Sequence, residues 1–191
     1  MPDLRDVLER LTKGEISVDE AERLLKVMAI AEIEGLARLD IAREGRRGVP
    51  EIILAEGKEP DDLIRITKEV LERTGRAIIS RAQKEHLDVL ATHFQDHAKL
   101  EICNRAKMAV VKKRDFQSKI SGGRVGVITA GTSDIPIAEE AKIMCTEMGC
   151  EVYSAYDVGV AGMHRIFPAI KEFIGKDVDV IIVVAGMEGA L

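Results

Sequence analysis

Residues 180–191 read VIIVVAGMEGAL, and this stretch decides the fold. Five consecutive β-branched residues bounded by glycine describe a strand buried on both faces. Strands of that kind belong to open parallel sheets, where ligands bind outside the carboxyl ends. The loop beginning Ala185-Gly186-Met187-Glu188-Gly189-Ala190 therefore stands where a ligand would.

The same grammar occurs twice upstream. Residues 125–130 read as an apolar strand, Gly131-Thr132-Ser133-Asp134 as a tight polar loop, and residues 137–148 as a helix closed by Gly149. Residues 151–156 read as a second strand, followed by the loop DVGVAG at 157–162 and a helix from about Met163 to Phe173. Alternation of strand, loop and helix with short connections predicts parallel strands joined by right-handed crossovers, an α/β Rossmann-like open sheet. All three polar loops then gather at one end of the sheet. In the first, Gly131 permits close backbone approach, Thr132 and Ser133 offer hydroxyls beside a helix start, and Asp134 can orient a proton or cap the helix. In the second, Gly162 precedes His164, suited to proton transfer near neutral pH, and Arg165, suited to phosphate or carboxylate. In the third, Glu188 stands between Gly186 and Gly189.

Further out, Leu4, Val7, Leu8 and Leu11 share a helical face, and Ser17-Val-Asp-Glu20 is a capping box for a second helix carrying Ala21, Leu24, Leu25 and Met28. The segment up to Glu44, rich in Ala, Leu and Glu, suits a further helix ending in the basic cluster Arg43, Arg46, Arg47. Residues 51–55 and 77–80 read as short strands, residues 61–74 as a helix stopped by Gly75, and residues 83–90 as another. Weaker strand patterns lie at 100–102 and 108–111. The organisation expected is a helical segment at 1–47, a small α/β unit at 48–113, a polar glycine-terminated linker at 114–123 and the open-sheet unit at 124–191.

With 191 residues, 46% hydrophobic and 32% charged, the chain can bury a core. No apolar run reaches the roughly 20 residues of a membrane span, and the charged N-terminus is unlike a signal peptide, so the cytoplasm is the default compartment and no membrane partner is expected. A formal net charge of -5, with only four Phe and two Tyr, argues against a nucleic-acid partner. Cys103, Cys145 and Cys150 form no CxxC pair and are expected to be reduced, buried thiols. His93 and His97, four residues apart, have zinc-like helical spacing, but Phe94 stands where a general base is needed and no third ligand follows, so no metal site is assigned.

TAGTSDIPIAEEA, YDVGVAGMHR and VVAGMEGAL together resemble the carboxylase domain of the LarB family of nickel-pincer-nucleotide biosynthesis, itself related to PurE, the aminoimidazole ribonucleotide carboxylase. The resemblance extends through KGEISVDEAERLL and GVPEIILAEGK, hence over nearly the whole chain. It implies a PurE/flavodoxin-like three-layer sheet and a reaction in which the pyridinium ring of nicotinic acid adenine dinucleotide is carboxylated at C5. The phosphoanhydride is hydrolysed as well, giving AMP and pyridinium-3,5-biscarboxylic acid mononucleotide. The substrates implied are the dinucleotide and carbon dioxide or bicarbonate, with no tightly bound cofactor, Mg2+ as a candidate helper, and an octameric homo-oligomer. His164, Asp134 and Glu188 take the catalytic positions, and Gly131, Thr132, Ser133, Gly162, Arg165, Gly186, Met187 and Gly189 the substrate-binding ones.

The purine enzyme is the alternative. Its loops read Gly-Ser-x-Ser-Asp and Ser-Ala-His-Arg-Thr-Pro. Ser133-Asp134 and His164-Arg165 match those pairs, while Gly162-Met163 replaces Ser-Ala and Glu188 replaces small residues. A non-catalytic nucleotide-binding module is a third reading. The resemblance further implies that the family continues past this point with more strands and the cysteine proposed to attack the ring, which makes the chain an incomplete, inactive form. An unfinished sheet is expected to leave residues 180–184 short of neighbours with apolar surface exposed.

Overall fold

The computed structural model describes residues 4–28, 30–33, 37–40, 43–186, 189 and 191. Helices α1 (Leu4–Thr12) and α2 (Val18–Met28) form the expected hairpin. Ser17 Oγ accepts the Glu20 N–H at 3.1 Å, capping α2, and Val7, Ile16 and Ala21 are buried between the helices.

The next segment departs from expectation. Instead of a third long helix, β1 (Ile30–Ile33) and β2 (Ala37–Asp40) pair antiparallel, followed by a five-residue helix α3 (Arg43–Arg47). Composition favoured a helix, but Gly35 lies midway in the sequence, and the backbone register that forms sets Glu32 opposite Arg38. The basic cluster accordingly lies within a single short helix, where Arg43 pairs with Glu51 at 3.6 Å.

Four strands then build a mixed sheet around β3 (Ile52–Leu54), α4 (Pro60–Thr74), β4 (Arg76–Ser80), α5 (Lys84–Phe94), β5 (Lys99–Cys103) and β6 (Met108–Lys112). Its order is β3-β4-β6-β5, with only the first pair parallel. α4 begins on a proline and stops at Gly75 in the left-handed conformation, φ 79°. Leu63, Ile66 and Val70 of α4 and Leu87, Leu90 and Phe94 of α5 cover one face of this sheet.

After an irregular passage the chain enters a fully parallel sheet: β7 (Arg124–Thr129), α6 (Ile135–Glu147), β8 (Glu151–Ala155), α7 (Ile166–Gly175) and β9 (Val180–Val184). The order β8-β7-β9 is the opening of the flavodoxin-like arrangement, a parallel α/β sheet as its strand-loop-helix grammar predicts. The helix expected from Met163 begins at Ile166, because residues 160–165 take 3-10 geometry with a non-helical Gly162.

α6 is the piece that joins the two sheets. Ala138 packs with Val125 and Val127 of β7, while Ile143 and Met144 pack on Ile78, Met108 and Val110, the second face of the four-stranded sheet. Only Ile137 and Thr146 among its thirteen residues are exposed. The layers therefore run α4/α5, mixed sheet, α6, parallel sheet, α7. On the far face Phe173 of α7 lies over Gly126, where a Cβ would sit 2.6 Å from the ring. The glycine in mid-strand is required by that ring.

Two further expectations are corrected. β9 is an edge strand and not buried on both faces: Ile182 and Val184 face α6, whereas Val180, Ile181 and Val183 are exposed. An apolar run reports affinity for a sheet, not position within it, and here β7 holds the centre. The cysteines are half-buried and not fully buried. No helix among the described residues is long and apolar enough to cross a membrane.

Candidate functional site

Parallel pairing of β7 with both β8 and β9 brings three loops to one end, on either side of the point where strand order reverses. Main-chain hydrogen bonds then lace the loops together. The Ala130 N–H donates to Val184 O at 2.9 Å, tying the first loop to the third strand. The Val158 N–H donates to Thr129 O at 3.0 Å and the Gly159 N–H to Ala130 O at 2.9 Å, tying the second loop to the first. A Cβ on Gly159 would lie 2.5 Å from Ala130 O, so glycine there is a condition of the approach.

Within the first loop, Asp134 Oδ2 accepts the Gly131 N–H at 2.9 Å, closing the turn ahead of α6. The Asp134 side chain makes no capping bond to the helix itself. Gly131 is not crowded by the protein, since a Cβ would meet Asp134 Oδ2 at 3.7 Å, an ordinary contact. Thr132 and Ser133 are exposed, and no side-chain hydrogen bond among the described residues engages their hydroxyls.

The second loop is held by two residues that the sequence did not single out. Thr129, fully buried, accepts the Asp157 N–H on its Oγ1 at 2.9 Å. Asp157 adopts φ 59°, a left-handed conformation that Asp tolerates better than most residues. Its Oδ2 receives Arg165 Nη1 at 2.6 Å, and the guanidinium lies over Gly162, where a Cβ would be 2.5 Å from Nε. Arg165 is thus aimed by Asp157 across the loop. The only sequence trace of this arrangement is an aspartate opening a glycine-rich loop that ends in arginine. His164 is exposed beside it, with no ion pair or hydrogen bond among the described residues.

The first two loops supply Gly131, Thr132, Ser133, Asp134, Gly162, His164 and Arg165 at this end of the sheet. In the third, Gly186 is in open space, and Gly189, at φ 67°, donates its N–H to Gly186 O at 2.9 Å. Met187 and Glu188 lie outside the described residues.

Tyr156 donates its hydroxyl to Glu139 of α6, and burial together with that carboxylate pushes its pKa up. Burial, and secondarily Cys150, raises the Cys145 thiol, so Cys145 is a poor nucleophile. Among the described residues no cluster of three or more His, Cys, Asp or Glu side chains could hold a metal ion. His93 packs edge-on against Phe94, ring centroids 4.9 Å apart. A cavity of about 470 Å3 lined by Arg73, Arg76, Phe116 and Glu147 lies at the C-terminal end of α6. At about 1.5 Å per residue it is one helix length, roughly 20 Å, from the loops.

A family model described as the LarB/PurE-like N-terminal domain matches residues 30–114. The uncharacterized protein MJ0165 of Methanocaldococcus jannaschii is 44% identical over 192 residues, covering 98% of this chain and 74% of that protein.

Proposed function

This chain belongs to the LarB/PurE-like family, a carboxylase-related family, and from that premise we propose that its loop cluster binds nicotinic acid adenine dinucleotide for carboxylation of the pyridinium ring. In the overall reaction a C–C bond forms between ring C5 and carbon dioxide as the C5 proton is lost. Water cleaves the phosphoanhydride, and AMP leaves. The observation that carries the reading is the laced loop end of the parallel sheet, where an Asp157-oriented Arg165 stands beside unengaged hydroxyls and an exposed histidine.

Each residue has a role in this reading. Arg165, preorganised by its bond to Asp157, grips a phosphate or the ring carboxylate as a planar two-pronged donor. Thr132 and Ser133 add hydroxyl donors to the same anion at the start of α6. His164 accepts the ring proton, since an imidazole is poised to exchange protons near neutral pH. Asp134 holds the first loop closed through the Gly131 N–H. Gly131, Gly186 and Gly189 admit the substrate close to the backbone, and Gly162 makes room for the Arg165 guanidinium.

Calorimetric titration with the dinucleotide, joined to mass spectrometry of ring carboxylation and AMP release in bicarbonate buffer, tests the proposal. Binding with a ring-carboxylated product supports it, and absence of any dinucleotide binding sinks it. Carboxylation of aminoimidazole ribonucleotide by the same sample would move the assignment to the purine reaction.

A further inference from the structure

Two of the cysteines meet where α6 ends. The helix closes in a Schellman turn: the Cys150 N–H donates to Cys145 O at 3.0 Å and the Gly149 N–H to Thr146 O at 2.9 Å, with Gly149 left-handed at φ 81°. A turn of this kind brings the side chains of its first and last residues into contact. Here those residues are Cys145 and Cys150. Both pack into the cluster of Val125 and Val127, and the Cys145 thiol, pushed up first by burial, is pushed up further by Cys150. Across the 3.0 Å hydrogen bond, standard backbone dimensions hold the two Cα atoms within about 7 Å, the span a disulfide can bridge without backbone movement. Cys103 stands apart, packed with Met108 and Val110 on the opposite side of α6.

The turn is also where the passage between the two sheets is fastened. A Cβ on Gly149 would lie 1.9 Å from Lys119 O, so that passage presses directly on the turn. Ser121 pins it there. Its N–H donates to Gly149 O at 2.9 Å, and its hydroxyl accepts the Gly123 N–H at 3.3 Å and lies 3.3 Å from Cys150 Sγ. Between the two cysteines stands Glu147, the carboxylate that pairs with Arg76 and Lys112 of the mixed sheet.

We propose that Cys145 and Cys150 are a redox-sensitive dithiol that reacts with a small-molecule disulfide, closing a ring through Glu147 at the junction of the two sheets. Cys150, half-buried beside the exposed Ser121, attacks one sulfur of the incoming disulfide as its thiolate, and one thiol leaves. Cys145, held against it, then attacks the Cys150 sulfur and expels the second thiol. The chain loses two electrons and its two thiol protons, and the small disulfide is reduced to two thiols. In the oxidised chain the Cys150 sulfur turns from Ser121 to Cys145. The passage at 119–123 thereby loses one fastening while the end of α6 gains a covalent one. The device is independent of what the loop cluster binds.

The folded wild-type chain is incubated with oxidised glutathione, and its intact mass is read before and after reduction by dithiothreitol. The expected result is a chain lighter by two hydrogens, with Cys103 still open to alkylation, and full reversal by the reductant. Cleavage after Glu147, which lies between the two cysteines, should leave the halves joined until they are reduced. Cys145→Ser should trap glutathione on Cys150, and Cys150→Ser should leave Cys145 unmodified; the opposite pattern overturns the order of attack. No reaction, a stable glutathione adduct on the wild type, or a bond to Cys103 overturns the dithiol. Hydrogen exchange of residues 119–123 should be faster in the oxidised chain, and equal exchange in the two forms overturns the switch.

Discussion

The Arg165 guanidinium is placed by a single contact, the 2.6 Å bond from Asp157, and at residue scale that bond sets what the site can do. Removing either His164 or Arg165 by alanine is expected to weaken dinucleotide binding or turnover at least tenfold, about 1.4 kcal/mol. Unchanged affinity by calorimetry would return both to the solvated surface. Asp157→Ala tests aiming separately from charge, because it leaves Arg165 present but unheld; reduced affinity rescued by Asp157→Asn would identify a positioning residue. Gly159→Ala drives a methyl to 2.5 Å from Ala130 O. Overpacking of this kind costs about 1–3 kcal/mol, and the second loop should separate from the first, visible as lost dinucleotide binding together with a lower melting temperature. Burial, then Lys68 and His97, lowers His93 below its ordinary 6.5. Folding therefore favours the neutral ring: the stabilisation is complete above pH 6.5 and declines as pH falls through it, and an NMR titration of His93 should give a midpoint on the acid side. Thr129 and Asp157 escaped the sequence reading for a physical reason. Their importance lies in backbone conformation and a buried hydroxyl, neither of which has a spacing or a composition.

At the scale of elements, the parallel sheet was legible because each strand, polar loop and helix followed the last with short connections, which leaves few topologies. The 30–40 hairpin was not, because Ala, Leu and Glu are helix formers by composition while the pairing that won is a cross-strand register. The edge position of β9 was also hidden, since an apolar run looks the same at the centre of a sheet and at its rim. α7 presents one large, fully buried side chain to the sheet, beside the partly buried Ile166. Phe173, 2% exposed, fills the space over Gly126, and Phe173→Ala is expected to cost about 3–5 kcal/mol by urea denaturation. A loss below about 1 kcal/mol would mean that α7 is held elsewhere.

At the scale of the whole molecule, the two sheets are bolted together at the C-terminal end of α6 by buried charge. The Arg76 side chain, 3% exposed, donates to Glu147 at 3.1 Å and to Glu44 at 2.9 Å, and Lys112 reaches Glu147 at 2.6 Å. The Arg76 guanidinium also lies 5.2 Å from the Phe116 ring centroid, so the irregular passage between the sheets joins the same cluster. Truncating one partner strands the others without compensation, and Glu147→Ala is expected to cost about 3–5 kcal/mol. Denaturation of Arg76→Met/Glu147→Leu, closer to wild type than Glu147→Ala, would show that the penalty comes from orphaned charge and not from the ion pair itself.

α6 is packed between the two sheets, and that has a consequence in time. Packed on a sheet at either side, its amides open mainly when a sheet lifts away, so hydrogen exchange along residues 138–147 should be slow and should report the free energy of that opening. The helix that begins at the first loop thereby couples the two ends of the molecule: a ligand that clamps residues 131–134 to either sheet should slow exchange at the far end, around Glu147, without touching it.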